Sequence, residues 1–234
     1  MLKGLFLSKA GMLPQKQRLE TVANNLANIN TIGFKKENIF FRHLVNAVNA
    51  ADPARGEQET DFSEGALRHT GNPLDAAIVG DGFFVVQTDQ GEAYTRNGNF
   101  SLDGEGRLVT QGGDPVLSDS GELQIQGKSV KINEKGELLV DGQSVGRLRI
   151  VTFDDPQKLI RIGDSYFSQG DAVPSDVSED DVDIRGGFLE GSNVNGVQEM
   201  ISLIDLNRNY ELGQKSIQSQ DRTLDKLINE AGRF

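Results

Sequence analysis

The sequence contains no cysteine, no tryptophan and only two histidines among 234 residues. Without cysteine there is no disulfide, no thiolate nucleophile and no Cys-ligated metal. His43 and His69 stand isolated, so neither a His-based triad nor a paired-His metal motif is available. No Gly-x-Ser-x-Gly elbow occurs. Gly80-Asp81-Gly82-Phe83-Phe84 starts like a dinucleotide fingerprint. Val85 then stands where the third glycine belongs, and strand formers follow where a helix must open. The residues thus offer no catalytic set, cofactor site or metal site. Basic residues are also short, 24 against 35 acidic, leaving a net charge of −11. A field of that sign repels phosphate backbones and anionic lipid, which argues against a nucleic-acid partner and against membrane adsorption. No stretch approaches the roughly 20 apolar residues of a membrane-spanning helix. Leu5-Phe6-Leu7, interrupted by Lys9, is too short for the roughly 7–15 apolar residues of a secretory signal. Export of such a chain requires a route that leaves its N-terminus uncleaved, and a chain passing into an oxidising space gains from lacking cysteine.

The two ends carry helical periodicity. Leu5, Met12, Leu19 and Leu26 recur every seven residues, with Ser8, Gln15, Val22 and Ile29 three positions on. That is an a/d seam, and it predicts a helix over residues 1–30. Pro14 lies inside it, so the regular helix is expected to begin near Pro14 or to kink there. Asn24, Asn25, Asn28 and Asn30 crowd its end, and Ile32-Gly33-Phe34 turns the chain away. At the other end Asn195 is placed to cap a second helix of about 50 Å. Leu203, Tyr210, Ile217 and Leu224 again repeat by seven, beside Leu206, Gly213, Gln220 and Leu227. Val197, Ile201 and Ile204 continue an apolar face upstream in a shifted register. Amphipathic stripes usually face a core, but these lie at the chain ends while the middle has its own apolar pattern, so they are read as oligomerising surfaces.

The middle is punctuated by turns. Thirteen of the 27 glycines lie between Gly80 and Gly146. Asn97-Gly98, Asp103-Gly104 and Asp141-Gly142 are expected as hairpin turns, because these residues supply positive φ. Between them stand short β-rich runs such as Phe83-Phe84-Val85-Val86, Val130-Lys131-Ile132 and Leu138-Leu139-Val140. The spacing predicts an antiparallel all-β domain. Asp171 to Asp183 then holds six acids and no basic residue, and reads as an exposed connector. It reads as a solvated spacer, the alternative being that it faces the basic Lys35, Lys36 or Arg42 of a neighbouring copy.

The ordered motifs resemble the flagellar axial proteins that build the rod and hook. The resemblance rests on Leu19-Glu-Thr-Val-Ala-Asn-Asn-Leu-Ala-Asn-Ile-Asn-Thr-Ile-Gly-Phe-Lys35, on Gly71 to Val85, on Tyr94-Thr-Arg-Asn-Gly-Asn-Phe100 and on Leu189-Glu-Gly-Ser-Asn-Val194. Asn24, Asn25, Asn28, Gly33, Phe34, Gly191, Ser192 and Asn193 carry its terminal signatures. The resemblance implies a non-enzymatic subunit of the periplasmic rod of the flagellar basal body. It implies export by the flagellar type III apparatus and polymerisation with copies of itself and with other rod subunits. Val145-Gly-Arg-Leu-Arg-Ile-Val151 before Tyr166-Phe167 is similar to proximal-rod proteins, and the longer insertion of distal-rod relatives after the first helix is missing. A distal-rod or hook-type subunit, or a β-rich surface adhesin with coiled-coil ends, is the alternative.

The expected architecture is therefore α+β, with long terminal helices pairing as a coiled-coil-like stem around a central antiparallel all-β domain. Its parts are a helical stem over 1–33, an extended connector over 34–75, a β-rich domain over 76–170, an acidic extended connector over 171–192, and a second helical stem over 193–234. The expected assembly seam comprises Leu5, Met12, Leu19, Val22, Leu26 and Ile29 on the first helix. On the second it comprises Val197, Ile201, Ile204, Leu203, Leu206, Tyr210, Ile217, Leu224 and Leu227.

Overall fold

A computed structural model describes residues 2–40, 56–127, 129–163, 165–177 and 183–231. Two helices flank a β-rich centre, an α+β arrangement. The chain divides into two compact units, one built from 1–27, 37–60 and 195–234, the other from 28–36 and 61–194.

The first unit holds α1 (Leu2–Ala27), α2 (Gly196–Ala231) and an antiparallel ribbon of Glu37–Phe40 with Glu57–Thr60. α1 packs against α2 and against the first ribbon strand. α1 starts at Leu2 and runs through Pro14, so Pro14 is not its beginning. α2 spans 36 residues, about 54 Å at about 1.5 Å per residue. Asn195 caps it as expected. Its Oδ1 accepts the Gln198 amide at 3.2 Å, satisfying one of the free N–H groups of the first turn.

The second unit is built on a six-stranded antiparallel sheet. Its order is Ile160–Arg161, Tyr166–Ser168, Gly91–Thr95, Phe83–Thr88, Ile150–Phe153 and Pro174–Asp176. The run Phe83-Phe84-Val85-Val86 is buried on both faces, because alternate side chains leave a strand on opposite sides. Phe84 and Val86 enter one apolar cluster with Ile78, Phe100, Leu138 and Ile150. Phe83 and Val85 enter a second with Tyr94, Val151, Phe153 and Phe167. Edge-to-face rings tie each cluster together, among them Phe84–Phe100 at 5.1 Å and Tyr94–Phe153 at 4.9 Å.

Turn chemistry decides the connections. Asp141-Gly142 makes the two-residue hairpin between Glu137–Val140 and Gln143–Arg147, with φ of 49° and 88°. Asp103-Gly104 lies in the hairpin joining Phe100–Leu102 to Leu108–Thr110, where Asp103 Oδ1 accepts the amides of Glu105 and Arg107. Asn97-Gly98 is not a hairpin. The strands on either side of it do not pair with each other, and Gly98 is needed for close approach, since a Cβ there would lie 1.6 Å from the Ala76 carbonyl oxygen.

The two stretches expected as extended connectors are drawn into the units. Within 34–75, Phe34 and Lys35 are fully buried, and Leu67–His69 pairs with Phe188–Glu190. Within the acidic stretch, Pro174–Asp176 extends the large sheet and Asp183–Gly186 pairs with Ala76–Val79. Glu179, Asp180 and Asp181 lie outside the described residues, as do Arg42 and His43. Lys35, one of the basic residues named in the alternative reading of the acidic connector, is buried inside its own chain and is not open to a neighbour.

Candidate assembly surface

The heptad residues of α2 form one continuous column. Leu203, Leu206, Tyr210, Gly213, Ile217 and Gln220 are half-buried, while their helical neighbours from Asn207 to Leu212 and from Gln214 to Ser219 are otherwise exposed. α1 is the helix beside it, and a Cβ added at Gly213 would lie 3.5 Å from Met12 Cγ. On α1, Met12, Gln15, Leu19, Val22 and Leu26 are half-buried in turn, and Ile29 is half-buried in the segment that follows. The side chains of Leu5, Ser8, Leu224 and Leu227 lie outside the described set.

Among the described side chains of α1, the most buried are not those of the seam. Thr21 and Asn25 are more deeply covered, on a separate column shared with Pro14. The Asn25 carboxamide acts as a short strand edge: Oδ1 accepts the Glu37 amide at 2.9 Å, and Nδ2 donates to the Glu37 carbonyl at 2.8 Å. It thereby holds the ribbon to the helix and satisfies both backbone groups of Glu37.

The shifted register of Val197, Ile201 and Ile204 marks a different face. These residues, with Met200 and Leu212, are 53–71% exposed. Positions 197, 200, 201 and 204 share one side of a helix, because three- and four-residue steps return to the same face. The heptad pattern does not pick out Met200 and Leu212, although Met200 follows from Val197 by one three-residue step. Burying an aliphatic side chain contributes about 1.5–3 kcal/mol, so whatever covers this face gains several kcal/mol before the cost of ordering.

Asn24 and Asn25 lie on α1 in the first unit, and the other terminal-signature residues gather in the second. Gly33 has φ of 68°, and a Cβ there would lie 2.4 Å from the Asn97 amide nitrogen, so only glycine fits. Phe34 is buried beneath the guanidinium of Arg161, 4.8 Å from its ring centre. Asn28 accepts the Thr31 hydroxyl at 2.9 Å and shapes the turn leaving α1. Asn193 is a cross-brace: Oδ1 accepts the Lys36 amide, and Nδ2 donates to the carbonyls of Asp61 and Ser63. The Gly191 amide donates to the Ala66 carbonyl at 2.9 Å, and the Ser192 hydroxyl accepts the Val194 amide. Asn24, by contrast, is exposed on α1.

Three charged residues from these signatures also meet, and no local sequence pattern singles them out. Lys35 Nζ donates to Glu190 Oε1 at 2.6 Å and to the carbonyls of Ser63 and Phe62 at 2.7 and 3.3 Å. Glu190 Oε1 also accepts the Gly65 amide at 2.9 Å. Arg96 Nη1 lies 3.6 Å from Glu190 Oε2. Burial holds Lys35 below its ordinary lysine value, with Glu190 opposing, and lowers Arg96 in the same way.

Among the described residues no group of three or more His, Cys, Asp or Glu is arranged to hold a metal, and no helix is long and apolar enough to cross a membrane. An open groove of about 580 Å³ beside Lys131, Lys135, Arg185 and Phe188 lacks a nucleophile–base pair.

Amphipathic helix faces beside a β-rich unit with its own core, and no catalytic arrangement among the described residues, suit a structural subunit, and sequence comparison identifies which kind. Residues 10–35 match the family described as flagella basal body rod protein, residues 77–140 the flagellar hook protein FlgE/F/G D1 domain, and residues 185–230 the flagellar basal body rod FlgEFG protein C-terminal. The chain is 33% identical over 261 aligned residues to the flagellar basal-body rod protein FlgG of Bacillus subtilis (strain 168), covering 98% of this chain and 99% of that one. It is 32% identical over 234 residues to the flagellar basal-body rod protein FlgF of Mesorhizobium japonicum, covering 97% of each. It is 33% identical over 242 residues to the FlgF of Caulobacter vibrioides, covering 98% of each. The chain belongs to the flagellar basal-body rod protein family: it is a structural subunit of the basal-body rod, assembles with other rod components, serves motility and is not an enzyme.

Proposed function

We propose that this subunit polymerises through its terminal helices, with the exposed α2 face of Val197, Met200, Ile201, Ile204 and Leu212 as its principal contact with a neighbouring rod subunit. The observation that carries the reading is the split of α2 into two stripes. One stripe is half-covered beside α1, and the other is apolar and open to solvent. In this reading the a/d column of Leu203, Leu206, Tyr210, Ile217, Leu224 and Leu227 pairs as a coiled-coil-like stem with Met12, Leu19, Val22 and Leu26. The neighbour is a second copy of the chain or another rod subunit. The chain reaches the periplasm through the flagellar type III apparatus.

The reading extends to a proximal-rod position. Relatives named FlgF align over 234 and 242 residues, close to this chain's own 234, whereas alignment to FlgG of Bacillus subtilis needs 261. The FlgG alignment is longer than this chain and therefore carries gaps, which supports the reading that an insertion after the first helix is missing here.

Ile201→Asp with Ile204→Asp tests the contact. The double variant places two charges on the proposed interface without touching a buried residue. Its unfolding midpoint as a monomer is expected to match wild type, while polymer yield in sedimentation and recovery in purified basal bodies fall to background. Normal incorporation into basal bodies would refute the assignment.

A further inference from the structure

The second unit contains a charge imbalance that is settled only near the end of the chain. Lys35 and Arg96 are both almost wholly buried, and the carboxylate between them belongs to Glu190. Glu64 and Asp81 also act on this pair of cations, but both sit at the surface. A buried cation without a buried counter-ion is strongly unfavourable, and the deficit lasts until the charge is paired or the group is solvated. Glu190 arrives 155 residues after Lys35. It brings neighbours that finish the core: Ile184 and Leu189 are buried, and the strands around them pair with Ala76–Val79 and Leu67–His69. Main chain and side chain act together, since the Glu190 carbonyl accepts the Gly33 amide at 2.8 Å while its carboxylate holds Lys35 and the Gly65 amide.

We propose that Glu190 is the counter-ion of a closing latch: the body of the second unit folds stably only when this carboxylate enters between Lys35 and Arg96. The latch makes body closure conditional on a chain that has been delivered through residue 190. It joins the segment leaving α1 to the segment entering α2 inside a single unit. A chain that stops short, or whose 188–194 segment is displaced, has no carboxylate to pair Lys35 and Arg96, so both cations stay solvated and the body stays open. For a subunit that polymerises through both terminal helices, this favours bodies in which both helical connections are in place. That use rests on the proposed assembly mode, whereas the latch itself is a property of the isolated chain.

The test uses the full-length chain and does not depend on polymerisation. Four proteins are compared by urea unfolding and amide hydrogen exchange: wild type, Glu190→Gln, Lys35→Met with Arg96→Met, and the triple variant combining all three changes. Glu190→Gln keeps the side-chain shape and the acceptor for Gly65 but removes the charge. It is expected to lower the folded-to-unfolded ratio by about 10²–10³-fold. Amides of Phe83–Thr88 and Ile150–Phe153 should accelerate together with those of Gly33 and Gly65. The triple variant, with no buried charge left, should recover to within about tenfold of wild type. The double variant strands the carboxylate instead and should be destabilised like the single one. If Glu190→Gln unfolds at the wild-type midpoint, if only Gly33 and Gly65 accelerate, or if the triple variant is as unstable as the single one, the latch is refuted. Should Glu190→Gln fail to fold at all, a folded triple variant upholds the proposal and an unfolded one overturns it.

Discussion

The two units solve the burial problem in opposite ways. The β-rich unit builds a dense core, with Phe84, Val86, Leu138 and Ile184 at or near zero exposure, and neutralises the charges it buries, although Val145, Ile160 and Val173 stay exposed on its surface. The helical unit buries polar groups such as Asn25 and Thr21 and leaves Val197, Ile201 and Ile204 in solvent. A domain that must be stable alone covers its apolar surface. A unit whose stability comes from its neighbours leaves that surface open. Isolated amphipathic helices are marginal in water, because an uncovered face does not offset the entropy of ordering the chain. The contrast predicts separate responses to mutation.

The largest effect belongs to the β-rich unit. Phe84→Ala removes a fully buried ring stacked edge-on to Phe100 and should destabilise that unit by about 3–5 kcal/mol in urea unfolding. Amides of the helical unit should keep their exchange rates. Next comes the polar clasp of the helical unit. Asn25→Ala strips both backbone partners from Glu37 and should cost about 1–3 kcal/mol, read as faster exchange of the Glu37 amide with no change in the β-sheet amides. A concerted loss in both units would break the comparison. Leu203→Asp places a charge in the half-buried column and should cost about 1–2 kcal/mol of helical-unit stability, leaving the urea midpoint of the β body unchanged.

Much of this contrast was legible in the sequence. The seven-residue repeat coincides with the half-buried positions of α2 from Leu203 to Gln220, whereas Val197, Ile201 and Ile204, which read as continuing that apolar face upstream in a shifted register, are exposed. Asp141-Gly142 was readable because two successive left-handed residues have few other uses. Asn97-Gly98 misled for a physical reason: its glycine answers to the Ala76 carbonyl, a long-range neighbour that no local pattern reveals. The charge of the acidic stretch points to exposure, and Asp171, Asp176 and Asp183 are exposed; what it does not reveal is that the backbone around Asp176 and Asp183 pairs into sheets, with Arg149 beside Asp176 at 3.1 Å. The Lys35–Glu190–Arg96 cluster was invisible because charged residues are normally exposed, and nothing local pairs groups so far apart in sequence.

The smallest effect is a pH dependence. Burial depresses Lys35 below its ordinary value of 10.5, so the folded chain releases this proton before the unfolded chain does. Stability attributable to Lys35 therefore rises with pH between the depressed value and 10.5 and is constant outside that window. The difference in urea midpoint between wild type and Lys35→Met should move in favour of wild type as pH is raised toward the ordinary lysine value. A difference that stays flat, or moves toward the variant, contradicts the assignment of burial as the dominant influence on Lys35.

Amide hydrogen exchange on the same protein as dilute monomer and as assembled rod polymer tests the division of labour most directly. Protection in α2 from Val197 to Leu212 should be weak in the monomer and rise by several orders of magnitude on assembly, while protection in Phe83–Thr88 and Ile150–Phe153 stays as it was. If α2 is already as protected in the monomer as those strands, or if the strands gain protection with it, the helices are not the part of this subunit that assembly completes.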